Sequence, residues 1–121
     1  MAEHNILGKS GEEEAIRYLV AHGYAIRHRN WRRGHKEIDI VAEKDNELII
    51  VEVKTRKNRL FAEPHDAVTP MKIRRTVSAA DAYLRFFQVD LPVRFDIITV
   101  VGETGSFDIE HIEEAFYPPV W

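Results

Sequence analysis

The chain has 121 residues, of which 45% are apolar, and it carries a formal net charge of −3 with no cysteine. This length fits one globular domain over residues 1–121. The lack of thiols excludes disulfide scaffolds and thiolate zinc sites and favours a reducing, cytoplasmic compartment. The sequence has no apolar run of about 18 residues, so no membrane-spanning helix is expected.

The first half of the chain predicts one helix and then three strands. Apolar residues at helical spacing predict a helix from Ile6 to His22, and Gly23 stands where a helix C-cap glycine belongs. Residues 24–30 and 36–43 predict two strands, and residues 47–54, which are rich in Ile and Val, predict a third. Because only a short polar turn separates the last two strands, we expect them to form a hairpin.

The second half predicts another helix and one or two strands. A polar, irregular segment over residues 56–66 precedes Thr69, an N-cap, and a helix from Pro70 to Phe87. A buried strand follows over residues 94–101 and a short edge strand over residues 107–112. This order of elements predicts an α/β fold in which helices flank the faces of a mixed sheet.

The strand over residues 47–54 ends with two charged side chains after an apolar run. Alternate side chains of a strand share a face, so Glu52 and Lys54 lie on the same side. If the hairpin loop is even and centred on Asp45-Asn46, Asp39 lies directly opposite Glu52, with Cβ atoms about 4.5–5.5 Å apart. Two carboxylates that close repel each other unless a cation lies between them. The pattern therefore predicts a metal site.

Two further acids are candidate ligands. On the first helix Glu12 falls within about 60° of the apolar stripe, whereas Glu13 and Glu14 fall outside it. Because a carboxylate that faces the core needs a partner, Glu12 is a candidate third ligand. Glu37 shares a strand face with Asp39 and is either another ligand or an ordinary charge at a sheet edge.

Oxygen ligands without cysteine suit a hard cation, so Mg²⁺ or Mn²⁺ is the expected metal. A metal held by two or three carboxylates lowers the pKa of its water and neutralises charge on a phosphoryl group. Lys54 beside it is then expected to orient the attacking water or to stabilise the developing negative charge. A cross-strand ion-pair network of Glu52 and Lys54 is the structural alternative.

Basic residues are concentrated on either side of this candidate site. Residues 27–36 include five Lys or Arg and no acid, and residues 54–59 include four, whereas the chain after Gly102 has five acids and neither Lys nor Arg. This distribution predicts phosphate binding, with an ordinary solvated surface as the alternative. The candidate nucleic-acid-binding residues are Arg29, Arg32, Arg33, Lys36, Thr55, Arg56 and Lys57.

Three other features have structural interpretations that we favour. Trp31 lies within the first basic run and either stacks on an unpaired base or, as we expect, packs against the core. The six histidines do not pair at the spacing of zinc ligands, so surface or capping roles are expected. Asp96 follows Arg94 on a predicted strand, where a structural ion pair is expected and support of the site is the alternative.

An ordered set of short motifs spans most of the chain. It consists of Gly11-Glu12 with Ala15, Tyr18-Leu19, Gly23-Tyr24, Arg29-Asn30 with Arg32, Glu37-Ile38-Asp39, Val51-Glu52-Val53-Lys54-Thr55-Arg56, Ala67-Val68, Lys72 and Arg94-Phe95-Asp96. The acids and lysine resemble the signature of PD-(D/E)xK nucleases, with an upstream glutamate similar to that of archaeal Holliday-junction resolvases. The whole set is similar to the YraN-like family of small bacterial proteins. Lys36 departs from it, since the family usually has glycine there.

The resemblance implies a restriction-endonuclease-like αβββαβ core and metal-dependent hydrolysis of DNA phosphodiesters. It implies that Asp39 and Glu52 hold the metal, that Glu12 assists and that Lys54 is the catalytic lysine. We therefore expect a Mg²⁺-dependent endonuclease, selective for branched or junction DNA. The alternative is a non-catalytic accessory protein that binds nucleic acid with the same fold. Cutting a junction needs two active sites, which leaves a homodimer open.

Overall fold

The computed structural model of the chain describes residues 2–57, 69–103 and 106–118. Most of the polar segment expected over residues 56–66, and the motif Ala67-Val68, lie outside the described residues. The elements in chain order are α1 (Ala2–Ala21), β1 (Ala25–Arg33), β2 (Lys36–Lys44), β3 (Glu47–Arg56), α2 (Pro70–Phe87), β4 (Val93–Glu103) and β5 (Ser106–Phe116).

The strands form one five-stranded sheet in the order β1-β2-β3-β4-β5. The β3–β4 pair is parallel and the other three pairs are antiparallel, so the sheet is mixed. Parallel neighbours need a crossover connection, and α2 lies in the connection between β3 and β4. The predicted α/β class and the αβββαβ order of the core are therefore confirmed, with β5 added at one edge.

Each face of the sheet is covered by one helix because side chains of the central strands alternate between faces. Leu19 of α1 belongs to a buried cluster with Ile49 of β3. Tyr83 of α2 belongs to a second cluster with Leu48 and Ile50. The same alternation continues beyond the apolar run, so the polar side chains at the end of β3 are also divided between the two helices.

The predicted ends of α2 are confirmed. Thr69 is the N-cap, and its hydroxyl accepts a hydrogen bond of 3.2 Å from the backbone N–H of Lys72. Pro70 is the first helical residue, where its missing N–H leaves no intrahelical bond unmade. The helix ends at Phe87, and Gln88 takes the left-handed conformation with φ of 52°. These caps fix where α2 begins beside the sheet.

The predicted bounds of α1 and β5 were too short. The helix begins at Ala2, before the predicted Ile6, and β5 continues to Phe116, beyond the predicted end at residue 112. A register shift between Phe95 and Ile97 on β4 lets β5 continue past a bulge. In that bulge Glu114 has φ of 50°, a backbone conformation that its sequence did not signal.

Asp96 lies at the centre of a buried ion-pair cluster on the α1 side of the sheet. Arg94 donates two hydrogen bonds of 2.9 and 2.8 Å to its two carboxylate oxygens. His111 Nε2 lies 2.7 Å from Asp96 Oδ2, and the backbone N–H of Glu114 donates to Oδ1 at 3.2 Å. The structural ion pair expected for Asp96 is therefore confirmed, and it ties β5 to β4.

Trp31 packs against the core, as favoured from the sequence. Its ring lies 5.2 Å from the ring of Tyr83 in an edge-on arrangement. The expectation of surface or capping roles was wrong for two histidines. His28 Nδ1 lies 2.6 Å from the Tyr83 hydroxyl, and His111 has a side chain only 7% exposed within the Asp96 cluster. His22 does have a capping role, since its Nδ1 lies 2.7 Å from the carbonyl oxygen of Tyr18 near the end of α1.

Candidate functional site

The β2–β3 hairpin brings Asp39 beside Glu52. Asp45 and Asn46 both have positive φ, 52° and 63°, which is the geometry of a two-residue type I′ turn. The ladder then runs in an even register from Lys44↔Glu47 to Ile40↔Val51 and ends there. Asp39 and Glu52 occupy the next position beyond the last pair, and both line one cavity of about 70 Å³.

The carboxylate of Asp39 takes the place of the missing ladder bond. Its Oδ2 accepts a hydrogen bond of 2.9 Å from the backbone N–H of Val53, just past the last paired residues. Burial raises the pKa of Asp39 to about 6, the Val53 bond lowers it, and the negative charges of Glu52, Glu12 and Glu37 raise it further. Asp39 is therefore the focus of a cluster of mutually repelling acids.

Glu52 and Lys54 form a loose, half-buried pair beside Asp39. Lys54 Nζ lies 4.0 Å from Glu52 Oε1, and the side chains of Lys54 and Glu52 are 27% and 28% exposed. The neighbouring amino group of Lys72 on α2 and burial lower the pKa of Lys54, while Glu52 raises it. Lys54 thus lies between a carboxylate and a second cation, and it faces the helix on the α2 side.

Glu12 reaches this region from α1. Its Oε1 accepts a hydrogen bond of 2.7 Å from Asn30 Nδ2 and lies 3.8 Å from Arg29 Nη2. The Glu12 side chain is 17% exposed and that of Glu14 is 34% exposed, so Glu12 is the more buried of the two, although Glu13 and Glu14 are half-buried and not exposed as expected. The negative charge of Glu12 raises the pKa of Asp39, but Glu12 is not among the described residues that line the cavity shared by Asp39 and Glu52.

A close approach of α1 to β3 makes this possible. A Cβ placed on Gly11 would lie 2.3 Å from the hydroxyl oxygen of Thr55, well inside van der Waals contact. Only glycine fits there, so the residue before Glu12 sets the spacing between the helix and the end of β3. Thr55, a predicted phosphate contact, therefore also has a packing role.

The predicted basic residues of β1 and β2 are divided between internal contacts and the cleft described below. Arg32 Nε lies 3.3 Å from a carboxylate oxygen of its cross-strand partner Glu37. The guanidinium of Arg33 lies 4.5 Å from the centre of the Phe86 ring on α2. Lys36 Nζ donates a hydrogen bond of 2.6 Å to Ser78 on the same helix. The β1–β2 turn is thereby joined to α2.

The basic residues at the end of β3 differ in exposure. Arg56 is half-buried, and its Nε is a buried donor for which no partner is found among the described residues. Lys57 is exposed and follows directly after the strand. A buried guanidinium N–H needs an acceptor, but this Nε is covered from solvent, so a phosphate could contact only the accessible part of the Arg56 side chain.

A larger cleft opens next to the acids, and its helical wall was missed in the sequence. Its volume is about 750 Å³. Its lining consists of His35, Lys36, Glu37, Glu52, Lys72, Arg74, Arg75, Thr76 and Ser78. The sequence signal was three basic residues at positions 72, 74 and 75, directly after the N-cap and Pro70 of a predicted helix. Only the packing of α2 against the face of the sheet formed by β2 and β3 shows that they share a cleft with Glu52.

The donor set can be tested against the expected cation. Within residues 2–57, 69–103 and 106–118, no three His, Asp or Glu side chains converge in a metal-holding arrangement. Asp39 and Glu52 nevertheless line one cavity with room for a few waters. Proteins commonly bind Mg²⁺ through one or two carboxylates, waters and a substrate phosphate. Two carboxylates that repel each other across such a cavity fit this cation, and Glu12 stays a predicted third ligand.

Neither helix is long and apolar enough to cross a membrane, as far as the described residues extend.

Comparisons with known proteins give the family of the chain. Residues 11–100 match the Uncharacterised protein family UPF0102. The chain is 69% identical to a UPF0102 protein of Bacteroides thetaiotaomicron over the full length of both chains. It is 56% identical to one of Parabacteroides distasonis over 98% of each chain, and 46% identical to one of Flavobacterium johnsoniae over 97% of this chain and 98% of the relative. The chain therefore belongs to the UPF0102 family, the YraN-like group of small bacterial proteins.

Proposed function

We propose that this protein is a metal-dependent nuclease that hydrolyses DNA phosphodiester bonds at Asp39, Glu52 and Lys54. The observation that carries the proposal is the half-buried Asp39, whose pKa is raised to about 6 by burial and by neighbouring acids. A site that holds repelling carboxylates beside a lysine is destabilising unless it binds something. Such stored repulsion is typical of functional sites.

The role of each site residue follows from the chemistry of its side chain. Asp39 and Glu52 would hold Mg²⁺ or Mn²⁺, and Glu12 would add negative charge from α1. The cation, when bound, supplies Lewis acidity and a water of lowered pKa. Lys54 is within reach of the same cavity wall as Glu52 and provides positive charge where a phosphoryl oxygen becomes more negative. The Val53 N–H fixes the carboxylate of Asp39, so that its other oxygen is left for the cation.

The basic cleft supports DNA as the substrate over an uncharged ester. Five of its lining residues are Lys, Arg or His, and only Glu37 and Glu52 are acidic. Cationic side chains of this kind hold the phosphate backbone and set its register against the site. Selectivity for branched DNA is the finer part of the proposal, and the choice of substrates tests it.

The test is a cutting assay with labelled duplex, single-stranded, flap and four-way-junction DNA in Mg²⁺, Mn²⁺ or EDTA. The variants Glu52→Gln and Lys54→Ala remove the carboxylate of a proposed metal ligand and the proposed catalytic ammonium group. Asp81→Asn and Arg85→Ala are matched controls, since they remove an exposed acid–base pair 3.1 Å apart on the outer part of α2. We expect cutting that needs metal, falls at least about 100-fold in the first two variants and persists in the controls.

Two results would overturn the proposal. Cutting that survives in EDTA, or that the two site variants and the two controls affect equally, means that the activity does not come from these residues. If none of the four DNAs is cut in either metal although DNA binds, the protein is a non-catalytic nucleic-acid-binding protein, and the acids need a structural explanation.

A further inference from the structure

The cleft between α2 and the start of β2 has basic residues on both walls. Lys36 and His35 line the strand side, and Lys72, Arg74 and Arg75 line the helix side. Arg74 and Arg75 are exposed, so their charges are available to a ligand. Cations on two facing walls bind an anionic chain from both sides, whereas a flat basic surface binds it from one.

One end of this cleft carries the acids of the proposed site. Glu52 and Glu37 line the cleft, and both also line the small cavity that contains Asp39. Lys72 lies at the same end, next to Lys54. A polyanion held along the cleft would therefore have one of its phosphodiesters beside the proposed catalytic residues.

The other end is closed by contacts between the β1–β2 turn and α2. The Lys36 ammonium donates to the Ser78 hydroxyl at 2.6 Å, and the Arg33 guanidinium lies 4.5 Å from the centre of the Phe86 ring. Ser78 is six residues beyond Lys72 on α2, which corresponds to about 9 Å of helix. The open part of the cleft is thus short and ends at a wall.

These dimensions fit a single strand of nucleic acid better than a duplex. A volume of about 750 Å³ lies in the range of pockets that enclose a single drug-sized ligand. A length of about 9 Å spans roughly two to three phosphates of one strand. A duplex, whose major groove alone is about 12 Å wide, is broader than the roughly 9 Å of α2 between Lys72 and Ser78.

The lining residues also indicate which part of a bound nucleic-acid strand they contact. Among its described residues, the cleft wall has no Phe, Tyr or Trp on which a base could stack. Charged and hydroxyl side chains contact the sugar–phosphate backbone, which carries no base identity. The described lining residues therefore contact the backbone of a bound strand and do not distinguish its bases.

We propose that the cleft between α2 and the start of β2 is a subsite for one unpaired strand of nucleic acid, gripped by its phosphates and presented to Asp39 and Glu52. The proposal deepens the nuclease function and rests on it for the role of the acidic end. It identifies the substrate class as nucleic acid with an unpaired segment, such as a single strand, a flap or an open junction arm.

The test separates binding from cutting. Fluorescence anisotropy in EDTA compares labelled six-nucleotide oligo-dT, oligo-dA and oligo-U with a blunt duplex of two annealed strands that has no unpaired segment. The double variant Arg74→Ala/Arg75→Ala removes two charges from the helix wall. Arg17→Ala/Arg85→Ala is its matched control, since it removes two exposed arginines outside the cleft and changes the net charge equally.

We expect the single strands to bind at least about tenfold more tightly than the duplex, with little difference between dT and dA. The log–log salt slope should be about −1.5 to −2, the value for two or three phosphates of a single strand. The cleft variant should weaken binding at least tenfold, and the control should not. The affinity for oligo-U compared with that for oligo-dT shows whether the subsite prefers RNA or DNA.

Duplex binding as tight as that of the single strands, or equal effects of the two double variants, overturns the proposal. Cutting in Mg²⁺ is measured separately on the same oligonucleotides. If single strands bind through the cleft and nothing is cut, the subsite stands and the nuclease function fails. If duplex is cut through Glu52 and Lys54 while the cleft variant has no effect, the nuclease function stands and the subsite fails.

Discussion

Replacing Asp39 by asparagine should make the metal-free protein more stable while abolishing its proposed activity. The pKa of Asp39 is raised from 3.8 to about 6 in the folded protein, and each unit of pKa corresponds to about 1.4 kcal/mol. Keeping this half-buried group ionised therefore costs the fold about 3 kcal/mol at neutral pH. The asparagine side chain carries no charge, and its amide oxygen can still accept the Val53 hydrogen bond.

The sign of the pH dependence follows from linkage. Between pH 3.8 and about 6 the folded protein binds more protons at Asp39 than the unfolded chain does. This group therefore lowers the free energy of unfolding as pH rises through that window, and its cost is complete above about pH 7. The difference between Asp39→Asn and the parent protein should be close to zero below pH 4 and largest above pH 7.

Urea unfolding and thermal melts of both proteins in EDTA from about pH 3 to pH 8, a range that covers both limits of this window, measure the difference. For 121 residues a gain of about 3 kcal/mol corresponds to a rise in Tm of roughly 10 °C. Asp81→Asn is the control, because an exposed carboxylate on α2 should shift stability by less than about 0.5 kcal/mol. A variant that is less stable than the parent at pH 8, or equally stable at every pH, refutes the reasoning.

Mg²⁺ gives the same substitution a second readout that does not depend on activity. A cation between Asp39 and Glu52 offsets the repulsion that burial makes costly, and a ligand that binds only the folded state raises its stability. Addition of MgCl₂ at matched ionic strength should raise the Tm of the parent protein and leave Asp39→Asn unchanged. Equal shifts in both would mean that Mg²⁺ binds elsewhere.

Two further predictions concern positions that support the fold. Gly11→Ala should destabilise the protein by about 1–3 kcal/mol in urea unfolding, because its Cβ would lie 2.3 Å from the Thr55 hydroxyl oxygen; a change within error would mean that α1 moves freely away from β3. Asp96→Asn should cost about 3 kcal/mol or more, since it breaks a buried pair with Arg94. Burial raises the pKa of Asp96, but hydrogen bonds from His111 and Arg94 outweigh this effect and lower the pKa below 3.8. The ionised carboxylate therefore stabilises the fold at neutral pH, and this stabilisation is lost as pH falls below about 4. Acid unfolding of the parent and variant checks the second prediction, and parallel curves below pH 4 would contradict it.

Local sequence signals predicted most of the fold because they depend on interactions within a single helix, strand or turn. The Thr69-Pro70 cap, the C-cap glycine at Gly23 and the β-branched run of β3 each act within one element, and each lies where it was expected. The length of β5 was underestimated because its second half depends on a bulge held by Asp96, a residue on the neighbouring strand and distant in the chain. Such a contact leaves no local pattern.

By itself the sequence determined the α/β order and the alternation that puts Glu52 and Lys54 on one face of β3. It left the position of Asp39 conditional on an even hairpin loop, and the structure has that even register. Only the tertiary structure decided what surrounds these residues. Packing of α2 over the sheet sets its basic residues 72, 74 and 75 beside the acids and closes the cleft through Lys36. Periodicity fixes the face on which a side chain lies, whereas the neighbour across that face comes from elements distant in the chain, and only folding brings them together.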